Sequence, residues 1–282
     1  MILEYNKLEY KNKVIFEKMV MTNFERAPKP AFENEACFMY LQEGSFQFRT
    51  PERLFSLSSG DAVLAKCNNY FFEQTKKDHQ VSPQSKGIGA YLYPEIIKEL
   101  FDFDLSISDF ETDYDATSVN TDLLMKNFID GIEFLLDNPS VCNESMVKIK
   151  LKEFILLLSK TENAPSLLDF VSSLFKPHEY DFKQIIETNI LSSLSISELA
   201  KLCGMSVSTF QRTFQSVFEQ TPSKYILEQK LIKAKEMLAD KKKRISDVAY
   251  DCGFQSTSTF NRSFKKFFHY SPTDFRLNEI EQ

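Results

Sequence analysis

The C-terminal third of this chain is written twice, and that duplication limits the possible folds more than any other feature. Residues 196–225 read ISELAKLCGMSVSTFQRTFQSVFEQTPSKY, and residues 245–275 read ISDVAYDCGFQSTSTFNRSFKKFFHYSPTDF. With one residue inserted after the glycine, the copies share Ile196/Ile245, Ser197/Ser246, Ala200/Ala249, Cys203/Cys252, Gly204/Gly253, Ser208/Ser258, Thr209/Thr259, Phe210/Phe260, Arg212/Arg262, Phe214/Phe264, Phe218/Phe268 and Pro222/Pro272. The chain has only seven glycines, and two of them fall at matching points. A repeat is normally one supersecondary unit. Two copies are too few to stack as a solenoid, so each must be a complete unit.

Each copy reads as two short helices around a tight turn. In the first, Ser197 is expected to cap a helix that buries Leu199, Ala200 and Cys203, with Glu198 in the acid-favouring first turn. Gly204 then takes the left-handed conformation that ends such a helix. Ser206 or Ser208 caps a second helix with Phe210, Phe214 and Phe218 inward at i, i+4 and i+8. The second copy repeats this from Ser246 through Gly253 to Phe260, Phe264 and Phe268. The outer faces carry Ser208, Thr209, Gln211, Arg212 and Gln215 in one copy, and Ser258, Thr259, Asn261, Arg262, Lys265 and Lys266 in the other. Helix, glycine turn and a polar, arginine-bearing second helix form a helix-turn-helix.

The stretch from Asp181 to Arg276 resembles the DNA-binding domain of the AraC/XylS family of bacterial transcription regulators, with two helix-turn-helix units joined by one helix. The matching segments are SELAKLCGMS and FQRTF in the first copy, TPSKYILEQKLIKAKEML between, and ISDVAYDCGFQSTSTFNRSFKKFF with SPTDFR in the second. The resemblance implies promoter DNA and RNA polymerase as partners, activation as the commoner role, and no cofactor. One departure stands out: the family's glycine before each (S/T)P is replaced by Glu219 and His269, so those caps are expected to be built differently.

Charge is segregated along the chain. The whole is acidic at −6, but residues 1–178 carry −8 and residues 179–282 carry +2. Between residues 196 and 276 there are 14 basic and 8 acidic side chains. Phosphate contacts supply most nucleic-acid affinity, so the basic segment fits a DNA-facing surface. Arg212 and Arg262 suit bidentate contact with guanine, and Gln211 and Asn261 suit adenine. Ser208, Thr209, Ser258 and Thr259 reach bases, a thymine methyl or phosphate, while Lys265 and Lys266 hold phosphate. The alternative for the arginines is an intramolecular salt bridge. The joining helix, about 18 residues, would be a rod of roughly 27 Å, comparable to the ~34 Å of one DNA turn. The run Lys241–Arg244 reads either as a phosphate clamp or as a solvated loop, with the loop favoured.

The expected fold class is α+β. Residues 1–160 are expected to form a β-barrel or sandwich, cupin-like as the resemblance implies, with a helical hairpin; residues 161–178 are expected to be a linker, and residues 179–282 the all-α DNA-binding domain. Strands are expected across residues 13–92, with turns at Glu43-Gly44 and Gly60-Asp61. Pro94 opens a helix to about Phe101. Longer helices follow near Val119–Asp137, with Leu123, Leu124, Phe128, Ile132 and Leu135 on one face, and near Ser145–Lys160. That hairpin serves as packing or as the seam of a homodimer. Leu167–Phe175 reads as a short apolar turn.

Catalysis is not expected. A metal-dependent cupin needs clustered histidines and a carboxylate, whereas His79, His178 and His269 lie in three separate regions and Cys37 and Cys67 stand alone; no metal site is expected. No P-loop, nucleophile elbow or zinc-cysteine spacing is present. No apolar run approaches membrane-spanning length, no signal peptide is visible, and five widely spaced cysteines fit a reducing cytoplasm. The regulatory input stays open between a small molecule walled by Phe38, Tyr40, Phe46 and Tyr91, and a protein partner or dimerisation alone. The segment Lys66–Phe72 is distinctive in sequence without implying a role.

Overall fold

The computed structural model describes residues 2–22, 26–28, 35–66, 70–74, 84–161, 164–176 and 180–278. His79, His178 and Cys67 lie outside them. The chain divides into two compact units, Met1–Glu179 and Tyr180–Gln282.

Among the described residues the N-terminal unit carries ten strands: β1 (Ile2–Tyr10), β2 (Lys13–Thr22), β3 (Arg26–Pro28), β4 (Ala36–Glu43), β5 (Ser45–Arg49), β6 (Leu54–Ser58), β7 (Ala62–Ala65), β8 (Phe71–Glu73), β9 (Gln84–Leu92) and β10 (Ala116–Val119). All pair antiparallel, in a six-stranded sheet of order β1-β2-β9-β4-β7-β10 and a four-stranded sheet of order β3-β8-β5-β6. These are two open sheets sharing one apolar core, a sandwich and not a closed barrel. Two strands fall outside the expected span. Only Leu8 and Tyr10 of β1 are buried, so its sequence lacks the apolar alternation of a half-buried strand. The four-residue β10 is too short to show any period.

Four α-helices complete this unit among the described residues: α1 (Pro94–Phe101), α2 (Leu123–Asp137), α3 (Glu144–Ser159) and α4 (Leu167–Leu174). Pro94 opens α1 as expected, because its missing N–H costs nothing in a first turn. Asp122 caps α2 through Met125 N at 2.9 Å, and Asn143 caps α3 through Met146 N at 2.9 Å. The hairpin lies on the six-stranded sheet, with Phe38 of β4 edge-on to Phe154 of α3 at 5.1 Å and Phe154 stacked on Phe128 of α2 at 5.4 Å. The expected face of α2 is only partly right. Leu123 and Leu124 are 73% and 59% exposed, and Met125, Ile129 and Leu136 join Phe128, Ile132 and Leu135 inside. Val119 belongs to β10, so the helix starts after the Asp122 cap. The expected turn at 167–175 is helical, and its Phe170, Val171 and Leu174 enter the N-terminal core.

Three of the aromatic residues offered as pocket walls are core. Phe38 and Phe46 are buried, and Phe46 packs edge-on against Phe72 at 5.7 Å. Tyr91 is buried with its hydroxyl donating to Glu17 Oε1 at 2.7 Å; Tyr40 is half-buried. The void among Phe16, Phe38, Phe128, Ile132 and Phe154 measures about 10 Å³, scarcely one water probe.

The C-terminal unit contains α5 (Phe182–Asn189), α6 (Ile196–Leu202), α7 (Val207–Phe218), α8 (Pro222–Leu238), α9 (Ile245–Asp251), α10 (Thr257–Phe268) and α11 (Pro272–Asn278). It has two separate cores, one per sequence copy. Ile186, Leu199, Ala200, Phe210 and Phe214 form the first; Leu231, Ala234, Leu238, Val248, Ala249, Cys252, Phe254, Phe260 and Phe264 form the second. Thus α8 gives its C-terminal half to the second core, while Tyr225 and Ile226 near its start pack on the first.

Candidate nucleic-acid interface

Each candidate recognition helix is held from behind by aromatic rings and from below by a capped turn. In the first copy the α6 cap is Ser195 and not Ser197. Ser195 Oγ accepts from Glu198 N at 3.3 Å, and Glu198 Oε2 accepts from Ser195 N at 2.8 Å, closing a reciprocal capping box. Gly204, at φ +64, turns the chain, and Met205 N donates to Ala200 O at 2.9 Å. Ser206 caps α7 by accepting from Thr209 N at 3.2 Å. On the inner face Phe210 and Phe214 lie 5.7 Å apart, Phe214 and Phe218 4.5 Å, and Phe182 of α5 stands 5.6 Å from Phe210.

The second copy rebuilds this with different details. The expected Ser246 cap is replaced by Arg244, which caps α9 without a side-chain hydrogen bond. Gly253 sits at φ +72, and Phe254 N donates to Ala249 O at 3.0 Å. Ser256 caps α10 by accepting from Thr259 N at 3.2 Å. Phe260, Phe264 and Phe268 succeed one another at 5.5 and 4.6 Å. The expectation of unusual caps at Glu219 and His269 is corrected: both adopt the left-handed conformation at φ 56 and 67, where the family's glycine would stand. Glu219 N donates to Gln215 O at 3.1 Å, and His269 N to Lys265 O at 2.9 Å.

The outward faces are congruent. On α7 the exposed row is Ser208, Gln211, Arg212, Gln215 and Ser216, which border one open concavity. On α10 the same positions are Ser258, Asn261, Arg262, Lys265 and Lys266, all exposed. Both rows follow i, i+3, i+4, i+7, i+8, a single helix face. Among the described residues, Arg212 and Arg262 form no hydrogen bond or ion pair, which disfavours the intramolecular alternative. Thr209 and Thr259 are committed nearer home, their hydroxyls 2.9 and 3.0 Å from the capping Ser206 and Ser256 Oγ. Ser208 Oγ lies 3.1 Å from Ser206 Oγ. Gln215 was expected on the outer face without an assigned contact, and Ser216 was missed; the pairing Gln215/Lys265 and Ser216/Lys266 across the repeat was the signal for both.

The flanking groups are structural. Burial pushes the Cys203 thiol up to about 12 and the Cys252 thiol up to about 11, so neither thiolate forms at neutral pH. Lys243 pairs with Asp251 at 3.7 Å while Lys241 and Lys242 stay exposed. Arg276 Nε donates to Leu238 O at 3.2 Å and closes the end of α8. Among the described residues no helix is long and apolar enough to cross a membrane, and no group of three or more His, Cys, Asp or Glu side chains could hold a metal ion.

Residues 199–278 match the model of a helix-turn-helix domain, and residues 36–170 match that of the ExsA N-terminal regulatory domain. Across the DNA-binding unit the chain is 36% identical over 91 residues to the regulatory protein SoxS of Salmonella typhimurium, covering 32% of this chain and 85% of SoxS. The chain belongs to the AraC/XylS family. This AraC/XylS protein is also 22% identical over 263 residues to the HTH-type transcriptional regulator ExsA of Pseudomonas aeruginosa, covering 89% of this chain and 91% of ExsA. It is 29% identical over 144 residues to the virulence regulon transcriptional activator VirF of Yersinia enterocolitica, covering 51% of this chain and 52% of VirF. The chain thus spans about half the length of the curated relatives it matches first.

Proposed function

We propose that this protein is a sequence-specific DNA-binding transcription activator. It lays α7 and α10 in successive major grooves of a promoter site and is controlled through its N-terminal unit. The observation that carries this reading is the recurrence, at matched positions of two copies, of an exposed arginine without a protein partner among the described residues. Each stands on a helix whose other face is fixed by three phenylalanines. Arg212 and Arg262 read guanine, Gln211 and Asn261 read adenine, and Ser208 and Ser258 contact the backbone or a thymine methyl. Thr209 and Thr259 add contacts from the helix N-termini, and Lys265 and Lys266 neutralise phosphate. Activation is supported by VirF, named as a transcriptional activator. The reading makes the chain a cytoplasmic, non-enzymatic protein that works with RNA polymerase. A homodimer fits the hairpin, where Phe134 of α2 and Ile149 of α3 are exposed.

One observation bears on the regulatory input. Phe38, Phe46 and Tyr91 are spent on the core, which favours a protein partner or self-association over a small molecule held among them.

The test is genome-wide capture of DNA bound by the full-length protein at near-physiological salt. The expected result is a motif with two short boxes about one helical turn apart. Sequence-independent, salt-sensitive binding alone would overturn the reading.

A further inference from the structure

Because the C-terminal unit has two cores, something must fix one relative to the other, or the two recognition helices would not hold one spacing. The helix α8 touches both cores, and a polar junction lies beside it. Lys230, half-buried on α8, donates from Nζ to Ser192 O at 2.6 Å and reaches Gly253 O at 3.4 Å. Ser192 lies just past the C-terminus of α5, whose Phe182 and Ile186 pack in the first core. Gly253 is the turn glycine of the second copy. One ammonium therefore sits at the carbonyl ends of two helices from different halves, where the backbone dipoles favour positive charge.

The approach there is close. A Cβ on Gly253 would lie 2.8 Å from both Ser192 O and Lys230 Nζ, and nearer still to Leu191 O. Gly204, the matching glycine of the first copy, has nothing within 4 Å. The two copies share the glycine for its left-handed φ, but only the second is pressed against the other half of the unit. Burial also lowers the Lys230 pKa, and the two carbonyl contacts oppose that desolvation cost.

We infer that Lys230 is a positioning residue that locks the two helix-turn-helix units at one relative orientation, and so restricts DNA recognition to a single spacing between the two boxes. The lock rests on the DNA-binding reading above and deepens it. Lys230 faces the inner junction and belongs to neither outer row.

The test uses full-length protein carrying Lys230→Met, which keeps the aliphatic stem, with Lys230→Arg as the conservative variant. Binding is measured to a selected two-box site, to the same site with one base pair inserted or removed between boxes, and to each box alone. Hydrogen exchange of residues 190–195 and 251–256 is followed without DNA. The expected Met variant binds each box alone within about twofold of wild type, and binds the two-box site at least about tenfold more weakly. Its preference for the native spacing is flattened, both segments exchange faster, and Arg restores the spacing preference. Unchanged spacing preference with unchanged exchange would overturn the lock, as would equal loss on single boxes, which marks general unfolding. If wild-type protein selects no two-box site, the DNA reading fails by itself, and the exchange data still decide whether Lys230 joins the two halves.

Discussion

The two helix-turn-helix copies share their inner faces and differ wherever they meet something outside themselves. Three phenylalanines, an alanine, a glycine turn and a serine cap recur because each copy solves the same local problem: burying one stripe of a short helix. The differences lie elsewhere. Gly204 faces open space and Gly253 faces the backbone of Leu191 and Ser192. The outer row ends in Gln215 and Ser216 in the first copy and in Lys265 and Lys266 in the second. A duplicated sequence therefore does not mean duplicated work. The first copy presents a neutral face around its arginine, suited to base reading, and the second adds two cations, suited to gripping phosphate.

The sharpest way to break this contrast is to put the same methyl group on each glycine. Gly204→Ala should cost about 1–2 kcal/mol, the strain of a left-handed alanine. Gly253→Ala carries the same strain and must also displace backbone carbonyls, so its cost should be about 3 kcal/mol or more. Hydrogen exchange across α6 and α9 reads each loss locally. Equal costs would mean that the second turn is not pressed against its neighbours.

Next in size are the arginines. Arg212→Ala and Arg262→Ala should each weaken binding by about 1–3 kcal/mol and relax preference at one base pair, each in a different box. Selection of binding sites from random DNA checks this. A loss uniform across sequences would reassign that arginine to phosphate.

Charge at the end of the outer row gives a smaller effect with a distinct signature. Lys265→Gln and Lys266→Gln should each lower the slope of log affinity against log salt by about 1, leaving the recovered motif unchanged. Gln215→Ala should leave the slope where it is. A motif change in the lysine variants would mean that the second copy also reads bases with them.

The C-terminal unit was legible because its signals are local: phenylalanines every four residues, glycines at the turns, a serine before each recognition helix. The miss at Ser197 shows the limit. Ser195 and Ser197 both precede buried residues, and only the reciprocal bond of Ser195 with Glu198 decides which one caps. The N-terminal unit was less legible because its elements are defined by distant partners. The edge strand β1 takes its conformation from pairing with β2, and its exposed Ile2, Leu3 and Tyr5 carry no inward-outward alternation to read. Leu123 and Leu124 fit an apolar stripe by spacing, yet they lie in the first turn of α2, beyond the reach of its packing partners. The lock at Lys230 has no sequence signature, since it depends on Ser192 and Gly253 being brought together by the fold.

The smallest effect separates the two copies at their shared departure from the family pattern. Glu219 and His269 both hold left-handed backbone, at φ 56 and 67, where glycine would be free of strain. Glycine at either position should relieve part of a cost of about 1–2 kcal/mol, and greater freedom of the unfolded chain offsets some of that relief. His tolerates the left-handed region better than Glu does, so Glu219→Gly should gain more stability than His269→Gly, by a few tenths of a kcal/mol. Both side chains are exposed, and His269 in addition ends the helix that carries Lys265 and Lys266. Matched thermal unfolding of the two variants resolves the order. If His269→Gly gained more, the strain would not be governed by side-chain type, and the second cap would be the tighter one, as its glycine turn already is.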